Sequence, residues 1–404
     1  MGDETGGKRG MAAVPWDSAA LYLILASSLI GVMGVSLISP ILPDLRVAFD
    51  VTDSQVGLVI TVYTLPGVFL TPFIGLIADR IGRRRVIIPL LFIFGIGGAG
   101  IAFAGSFTQV LAFRFLQGIG ASALVTLAVT LIGDFYDGAQ QNAVMGLNSS
   151  TIGTGAAMYP LIGGALAGIR WSFPFLFYGI GILVGLVAVV FLPEPDGSAA
   201  SDVRTYLGGL RDVVADPKAL AIFSAIFVVF FVFYGAVQTV LPLLLSDEFA
   251  LSSGEIGLTL AMVSIASAAV SSQYGRISEW RTAPELIALG FVAYGCSLVG
   301  VWIATSPIGV GVSLLAFGVG FGLVMPSIDT TIITAVSGRL RAGMMGMRTS
   351  VLRLGQTLGP VSFTYLAEGS FATPTRGYRL LLVTCGIAIF VVGAGAYPLL
   401  RSGP

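Results

Sequence analysis

Apolar stretches of about twenty residues recur along the whole chain and are separated by short polar segments. An α-helix rises about 1.5 Å per residue, so a stretch of this length crosses the roughly 30 Å hydrocarbon core of a bilayer. The pattern therefore predicts an all-α membrane protein with twelve transmembrane helices. The predicted spans are residues 19–39, 55–77, 86–105, 108–132, 143–167, 173–192, 219–241, 255–275, 285–305, 308–335, 343–366 and 379–399.

The second half of the chain repeats the first at a constant offset of 200 residues. The matching positions include Phe49 and Phe249, Gly57 and Gly257, Gly118 and Gly318, Gly146 and Gly346, and Pro160 and Pro360. A duplication explains this constant register. It predicts two parallel six-helix bundles related by a pseudo-two-fold axis, with a path for a solute between them. The expected domains are an N-terminal bundle over residues 1–192, a cytosolic linker over 193–218 and a C-terminal bundle over 219–404.

Composition agrees with a bilayer environment and excludes several functions. Hydrophobic residues make up 55% of the chain and charged residues only 10%, which is too apolar for a soluble globular fold. A formal net charge of zero argues against nucleic acid as a partner. The chain has no histidine and its two cysteines lack metal-ligand spacing, so we expect no metal, no cofactor and no histidine proton relay.

The distribution of basic residues predicts the orientation in the membrane. On one side of the predicted spans the only basic residues are Arg46, Arg170, Arg376 and Arg379, while most of the 21 lysines and arginines lie on the other side. Positively charged segments stay in the cytosol. We therefore expect both termini in the cytosol and a location in the cell membrane, most simply that of a prokaryote.

A charged turn between the second and third predicted spans carries the strongest resemblance to a known family. It reads Gly75-Leu-Ile-Ala-Asp79-Arg80-Ile-Gly82-Arg83-Arg84-Arg85. It is similar to the signature loop of the major facilitator superfamily, which occupies the same place. Gly75 allows close approach of helices, Gly82 permits a tight turn and Asp79 accepts hydrogen bonds from arginine or from a helix N-terminus. The resemblance implies that Asp79 latches the halves together in the outward-facing state, and that Asp134 completes a charge cluster with Asp79 and Arg83. Arginines that only set the topology are the alternative.

Arg114 in the fourth predicted span is followed by Gln117, Gly118 and Gly120, an arrangement similar to a second motif of this superfamily. A guanidinium two turns inside a bilayer is costly and needs an acceptor or water. Two roles stay open. Arg114 either bonds backbone carbonyls of the first helix and holds a cavity open, or it takes part in proton coupling, as the resemblance suggests.

The fifth predicted span carries a glycine-proline pattern that resembles an antiporter motif. Its members are Gly146, Gly155, Pro160, Gly163 and Gly164. Small residues let helices pack backbone to backbone and a proline kinks a helix, which suits a moving interface. Antiport is implied by the resemblance alone. Because Tyr159 stands where the motif has glycine, exchange and uniport both stay open.

Asp329 is the acid placed most clearly inside a predicted span, about 10 Å from the cytosolic end of the tenth. Arg348 lies at comparable depth in the eleventh span, and Arg353 lies deeper, near the midplane. The depths predict a buried Asp329–Arg348 pair, with Asp79 as a competing partner of Arg348. Ionisable groups inside a membrane are candidate functional sites, so proton coupling and a structural salt bridge both stay open. Arg353 leaves room for an anion.

Polar residues near the centre of several spans are candidates for a substrate cavity. They are Tyr63, Gln117, Asn148, Thr151, Tyr234, Gln238, Ser264 and Ser267. Each can instead be a helix-packing group. The phenylalanines between Phe223 and Tyr234 in the seventh span either line the cavity or face lipid. A mostly apolar cavity suits lipophilic solutes better than sugars or nucleotides.

The leading hypothesis is a secondary transporter resembling the twelve-span drug:proton antiporter branch of the superfamily. It would export small lipophilic compounds by alternating access, with protons as the coupling ion and the lipid bilayer as its surroundings. A monomer is implied by the resemblance. The alternatives are a metabolite symporter or uniporter of the same fold and, from a different class, a polytopic membrane sensor or enzyme. No nucleophile–base set or soluble signalling domain is visible in the sequence.

Overall fold

The computed structural model describes residues 13–195, 217–335, 338–371 and 373–401. Within these ranges the chain is helical and contains no strand, which confirms the predicted all-α membrane fold. We label the long helical stretches in chain order. They are α1 Ala19–Phe49, α2 Asp53–Ile81, α3 Arg83–Phe103, α4 Phe107–Phe135, α5 Gly138–Ala167, α6 Phe173–Phe191, α7 Ala219–Phe249, α8 Ser253–Ser272, α9 Ala283–Ile303, α10 Pro307–Ala335, α11 Gly338–Ser370 and α12 Pro374–Arg401.

Ten of these stretches are long and apolar enough to cross a membrane. The two others, α5 and α11, are also long, with 30 and 33 residues, but are richer in polar side chains. Both pack along the interface between α1–α6 and α7–α12, α5 against α8 and α11 against α2. Because part of each helix surface faces the opposite half of the protein and not lipid, these helices need less hydrophobicity.

The two halves use the same local devices to begin their second helices. Thr52 and Gln55 form a capping box at the start of α2, and Ser252 and Glu255 form one at the start of α8. Just before these caps, Asp50 and Ala250 both adopt left-handed backbone, with φ of 51° and 52°. The offset of 200 residues seen in the sequence therefore extends to backbone conformation.

The first and seventh helical stretches end later than predicted. The predicted ends at residues 39 and 241 fall before prolines, but Pro40 and Pro242 each occupy a first helical turn, where a proline is tolerated. Both stretches then continue to Phe49 and Phe249. The extension of α1 includes Asp44, and the extension of α7 includes Asp247 and Glu248.

The predicted linker over residues 193–218 is described only at its ends. Residues 193–195 are not helical, and a helix begins again at Pro217. The rest of the predicted linker lies outside the described residues. Within α7, the segment Phe233–Val240 winds as a π-helix, a local widening that often marks functional positions.

Candidate functional site

A charged cluster joins the two halves at one end of their interface. Arg46 of α1 donates from Nη1 to Asp53 Oδ1 at 2.6 Å and to Asp247 Oδ2 at 2.9 Å, and from Nη2 to Asp247 Oδ1. The Tyr378 hydroxyl donates to Asp53 Oδ2 at 2.7 Å. We call these four residues the outer clasp. We call this end of the interface the outer end and the opposite end, near Asp79, the cytosolic end, following the predicted orientation.

Other polar contacts cross the interface close to the outer clasp. The Ser253 hydroxyl of α8 donates to the Asp44 carboxylate of α1. The backbone N–H of Ser54 donates to Glu368 Oε2 at 2.9 Å, and Ser39 Oγ donates to the Gln238 carbonyl at 2.6 Å. Because each bond joins α1 or α2 to α7, α8 or α11, the contacts close this end of the interface.

Glycines allow the backbones to touch at the outer end. A β-carbon at Gly257 of α8 would collide with the carbonyl oxygen of Pro160 in α5, and one at Gly164 would collide with the carbonyl of Ser253. A β-carbon at Gly163 would collide with the Leu37 carbonyl of α1. The glycine-proline pattern of α5 therefore provides backbone-to-backbone packing at its outer half.

The signature loop at the cytosolic end forms a charge cluster within the first half. Arg83 Nη2 lies 3.1 Å from Asp79 Oδ1, and Arg83 Nε pairs with Asp134 Oδ2. Gly82 has φ of +106°, a conformation that L side chains rarely adopt, and the Glu194 carboxylate fills the space beside it. Arg80 is exposed. Asp79, Arg83 and Asp134, which the resemblance places in one cluster, lie together in the structure.

Glycines at the cytosolic end have open space in this conformation. A β-carbon at Gly75, at Gly146 or at Gly275 would meet no atom of the described residues within 4 Å. Among these residues, Gly75 therefore makes no close helix approach in this state. The described glycines are thus packed at the outer end and unpacked at these cytosolic positions.

Arg114 is completely buried within the first half and its donors are used there. Nε donates to the Val59 carbonyl at 3.0 Å, Nη2 to the Gly34 carbonyl of α1 at 3.0 Å and Nη1 to Gln117 Oε1 at 2.8 Å. The guanidinium carbon also lies 4.2 Å from the centroid of the Tyr63 ring. The bond to Gly34 links Arg114 to the first helix, which is one of the two roles considered for this residue. A part in proton coupling stays a prediction.

Asp329 and Arg348 form an ion pair near the cytosolic end, with Arg348 Nε 2.7 Å from Asp329 Oδ1. The Asp329 side chain is 42% exposed and that of Arg348 is 22% exposed, so the pair is more accessible than its depth in the sequence suggested. The pair has the geometry of a structural bridge, and a part in proton coupling stays a prediction.

Arg353 lies near the middle of α11 and contacts α2. Its Nη1 donates to Gln356 Oε1 at 3.2 Å, on its own helix. A β-carbon at Gly67 of α2 would lie 3.1 Å from both Cδ and Nε of Arg353. A glycine at position 67 thus leaves room for the guanidinium between the two halves.

The other cavity candidates have different surroundings. Gln117 is fully buried beside Arg114, so in this conformation it supports that arginine and lines no accessible surface, which corrects the prediction. Tyr63 is 3% exposed and its hydroxyl has no partner among the described residues. Asn148 is also buried, and its Oδ1 has no partner within the described part of the chain.

Two candidates bind backbone carbonyls. The Ser264 hydroxyl donates to the Ala156 carbonyl at 3.1 Å, a bond from α8 to α5, while Thr151 donates to the Leu147 carbonyl of its own helix at 2.8 Å. Ser267 and Tyr234 are half-buried, and Gln238 is 5% exposed. Tyr63 and Tyr234 interact electrostatically with each other and with Arg353, whereas Ser264 lies against α5.

Tyr159, which replaces a glycine of the antiporter motif, is accommodated inside the first half. Its ring is 7% exposed and its hydroxyl donates to the Leu29 carbonyl of α1 at 3.1 Å. The side chain points toward α1, so its bulk is absorbed away from the α5–α8 contact. The substitution therefore does not prevent α5 from packing against α8.

Comparison with known proteins agrees with this architecture. A sequence model described as "Major Facilitator Superfamily" matches residues 24–360 and 222–403. The chain belongs to the major facilitator superfamily. Among characterised relatives, the bacillibactin exporter of Bacillus subtilis is 28% identical over 85% of this chain and 88% of its own. The multidrug efflux protein YfmO of the same organism is 27% identical over 96% of this chain and 95% of its own.

A solved structure of a superfamily member shows the same fold. The bacterial homologue of the human lysosomal transporter Spinster, in an inward-facing and unoccupied conformation, superposes with a TM-score of 0.78 at 20% identity. The match covers 95% of this chain and 97% of that structure. The likeness shows the fold, and the family match makes this chain a membrane transporter of that fold.

Sequence reasoning missed the outer clasp of this transporter. A signal was available, because Arg46 and Asp247 occupy nearly equivalent places in the two repeats, shortly before Phe49 and Phe249. Opposite charges at equivalent positions of a duplicated chain can meet across its pseudo-two-fold axis.

Proposed function

We propose that this transporter exports small, largely apolar organic compounds from the cytosol in exchange for protons. The observation that carries the proposal is the closed outer end combined with an accessible carboxylate, Asp329, toward the cytosolic end. A substrate and a proton-binding group would then be open to the same side in this state. The two relatives named above are an exporter and an efflux protein, which supports the direction.

In this proposal, alternating access closes the cytosolic end of the interface as the outer end opens, and the reverse. Closing the cytosolic end brings the signature loop to the opposite half, as the superfamily resemblance implies for Asp79. Opening the outer end requires Arg46 to leave Asp247, because this contact joins α1 to α7. Protonation of Asp329 removes its charge and weakens its attraction to Arg348, so the proton changes the interface between α10 and α11.

A uniporter or symporter for a metabolite is the second candidate. It is favoured by Tyr159, which stands at a glycine position of the antiporter motif, and by the pairing of Asp329 with Arg348. A carboxylate held in a permanent salt bridge would carry no proton.

The test is dye transport in proteoliposomes with an imposed proton gradient, using Hoechst 33342 and ethidium as probes. We expect uptake by the wild type to depend on the gradient. Asp329→Asn should abolish that dependence while the variant still equilibrates the dye. The matched control is Asp137→Asn, which removes an exposed acid before α5 that makes no capping bond.

Two results would contradict the proposal. Gradient-independent transport by the wild type would favour a uniporter. Gradient-driven uptake that survives in Asp329→Asn would exclude this residue as the proton carrier.

A further inference from the structure

An arginine at the centre of the interface has no carboxylate partner among the described residues. Arg353 lies close to the midpoint of α11, which spans Gly338–Ser370, and packs on Gly67 near the midpoint of α2. Five residues earlier, Arg348 pairs with Asp329, but no Asp or Glu of the described ranges forms an ion pair with Arg353. A charge at this depth needs a counter-ion, water or hydrogen-bond acceptors.

The hydrogen bonding of Arg353 is also incomplete. Nη1 donates to Gln356 at 3.2 Å, whereas Nε is buried and has no acceptor in the described part of the chain. Arg114 is different, since its three nitrogens all find acceptors inside the first half. A guanidinium has five N–H donors, so Arg353 keeps the capacity to bind an acceptor from outside the protein.

The position of Arg353 is where the interface changes from closed to open. One turn toward the outer end, Thr357 accepts a hydrogen bond from Thr61 at its carbonyl and contacts the Thr64 hydroxyl at 3.0 Å, joining α11 to α2. Two turns from Gly67 toward the cytosol, Gly75 has open space around it. Arg353 therefore lies at the inner limit of the opening that faces the cytosol.

Aromatic side chains lie next to this position on α7. Phe227 and Phe231 stack with ring centroids 5.5 Å apart and are half-buried. A β-carbon at Gly355, two residues after Arg353, would lie 2.8 Å from the Phe227 carbonyl oxygen and 2.9 Å from the Phe231 nitrogen. Gly355 and Arg353 lie on opposite faces of α11, so the α7 aromatic next to the guanidinium is Tyr234, which interacts electrostatically with Arg353.

We propose that Arg353 binds an anionic group of the transported compound, namely a carboxylate, sulfonate or phosphate attached to an aromatic or other apolar body. The inference rests on the proposed export function and adds amphipathic organic anions to its substrates. A guanidinium offers two parallel N–H groups to such an anion, and among the described residues only Gln356 accepts a hydrogen bond from Arg353. Tyr234 of α7, which interacts electrostatically with Arg353, supplies aromatic surface for the body.

The experiment measures the dissociation constants of five naphthalene compounds by titration calorimetry on the purified full-length protein in zwitterionic detergent. The anions are 2-naphthoate, 2-naphthalenesulfonate and 2-naphthyl phosphate, and the controls are neutral 2-naphthamide and cationic 2-naphthylmethylammonium. We expect at least one anion to bind about tenfold more tightly than the amide, a difference of about 1.4 kcal/mol. Arg353→Gln should remove this preference, and Arg353→Lys should retain part of it.

Two further variants separate binding from folding. Arg170→Gln, at an exposed outer position, should behave as the wild type. Gly67→Val keeps the charge but displaces the Arg353 side chain, because a β-carbon at position 67 lies 3.1 Å from its Cδ and Nε. This variant should weaken anion binding even if Arg353→Gln fails to fold. The inference is overturned if no anion binds better than the amide, or if Arg353→Gln and Gly67→Val keep the wild-type preference.

An anionic lipid headgroup presents the same chemistry, so phosphatidylglycerol is titrated as a competitor. Displacement of the naphthalene anion by this lipid in the wild type, but not in Arg353→Gln, would assign the site to lipid and overturn the assignment to cargo. Absence of displacement supports cargo. Gradient-driven uptake of Hoechst 33342 is measured on the same preparation, so a protein that transports the dye without Arg353-dependent anion binding keeps the proposed function and loses this inference.

Discussion

The outer and cytosolic ends of the interface are built from repeated sequence but are packed differently. At the outer end, Gly257 touches the backbone of α5 and Arg46 joins α1 to α7. At the cytosolic end, an added β-carbon at Gly75 or at its repeat Gly275 would have no atom within 4 Å in the described part of the chain. The charge cluster of Arg83 with Asp79 and Asp134 lies within one half.

This difference shows how one set of small residues can serve two conformations. Glycines packed at the outer end stabilise the state seen here, while the unpacked glycines at the cytosolic end are available for the opposite state. The charged groups differ in the same way, since the outer clasp crosses the interface in this state and the cluster around Arg83 does not. We therefore expect substitutions at the two ends to shift the conformational equilibrium in opposite directions.

The largest effect is expected for Arg46→Gln. The substitution leaves the carboxylates of Asp53 and Asp247 without their shared cation, at a site where the arginine side chain is only 22% exposed. If the state with a closed outer end loses about 2 kcal/mol of stability, the ratio of outward-facing to inward-facing molecules rises about 30-fold. The measurement is the rate at which a cysteine at Thr61, on the interface face of α2, reacts with a membrane-impermeant maleimide.

The control for this prediction is Arg170→Gln, which removes an exposed outer arginine far along the chain from the clasp. Its labelling rate should equal that of the parent. Equal rates in Arg46→Gln and the control would show that the clasp does not hold the outer end closed.

A somewhat smaller effect is expected for Gly257→Ala. The added methyl group collides with the Pro160 carbonyl, and a backbone atom cannot move aside as a flexible side chain can. Overpacking of this kind costs about 1–3 kcal/mol. We expect faster maleimide labelling, because more molecules face outward. Gly75→Ala, at an open site, should leave the labelling rate unchanged or reduce it. An outward shift in Gly75→Ala would contradict the distinction between the two ends.

The placement of helices could be predicted from sequence because the bilayer sets both their length and their hydrophobicity. The Asp329–Arg348 pair could be predicted as well, since helix rise converts sequence position into depth. The extensions of α1 and α7 could not. Prolines and acids such as Asp44 resemble loop residues until their partners in the opposite half are known.

The outer clasp shows why the rest of the site was hidden. Tyr378 and Asp53 are 325 residues apart in sequence, and their hydrogen bond depends on how α12 and α2 pack. The burial of Gln117 beside Arg114 likewise depends on helix rotation, which a pattern of apolar residues in a nearly uniformly apolar helix does not determine.

The smallest of these effects is expected for Asp79→Asn. Arg83 still pairs with Asp134 in this variant, so in the conformation seen here the charge cluster loses one of its two carboxylates. The cost is about 1 kcal/mol or less. The outward-facing latch implied by the superfamily resemblance is lost as well, so the initial rate of dye uptake should fall while the amount of protein in the membrane is unchanged. Full transport activity would show that the loop serves only to set topology.

The central claim is that the two ends of the interface open and close in opposition. Double electron–electron resonance tests it with two spin-label pairs at exposed positions, Val47 with Ile308 outside and Asp137 with Ser278 on the cytosolic side, after replacement of Cys296 and Cys385. We predict a narrow outer distance and a longer, broader cytosolic one in the parent, and in Arg46→Gln a longer outer and a shorter cytosolic distance. An outer distance that lengthens while the cytosolic distance stays the same would contradict the account.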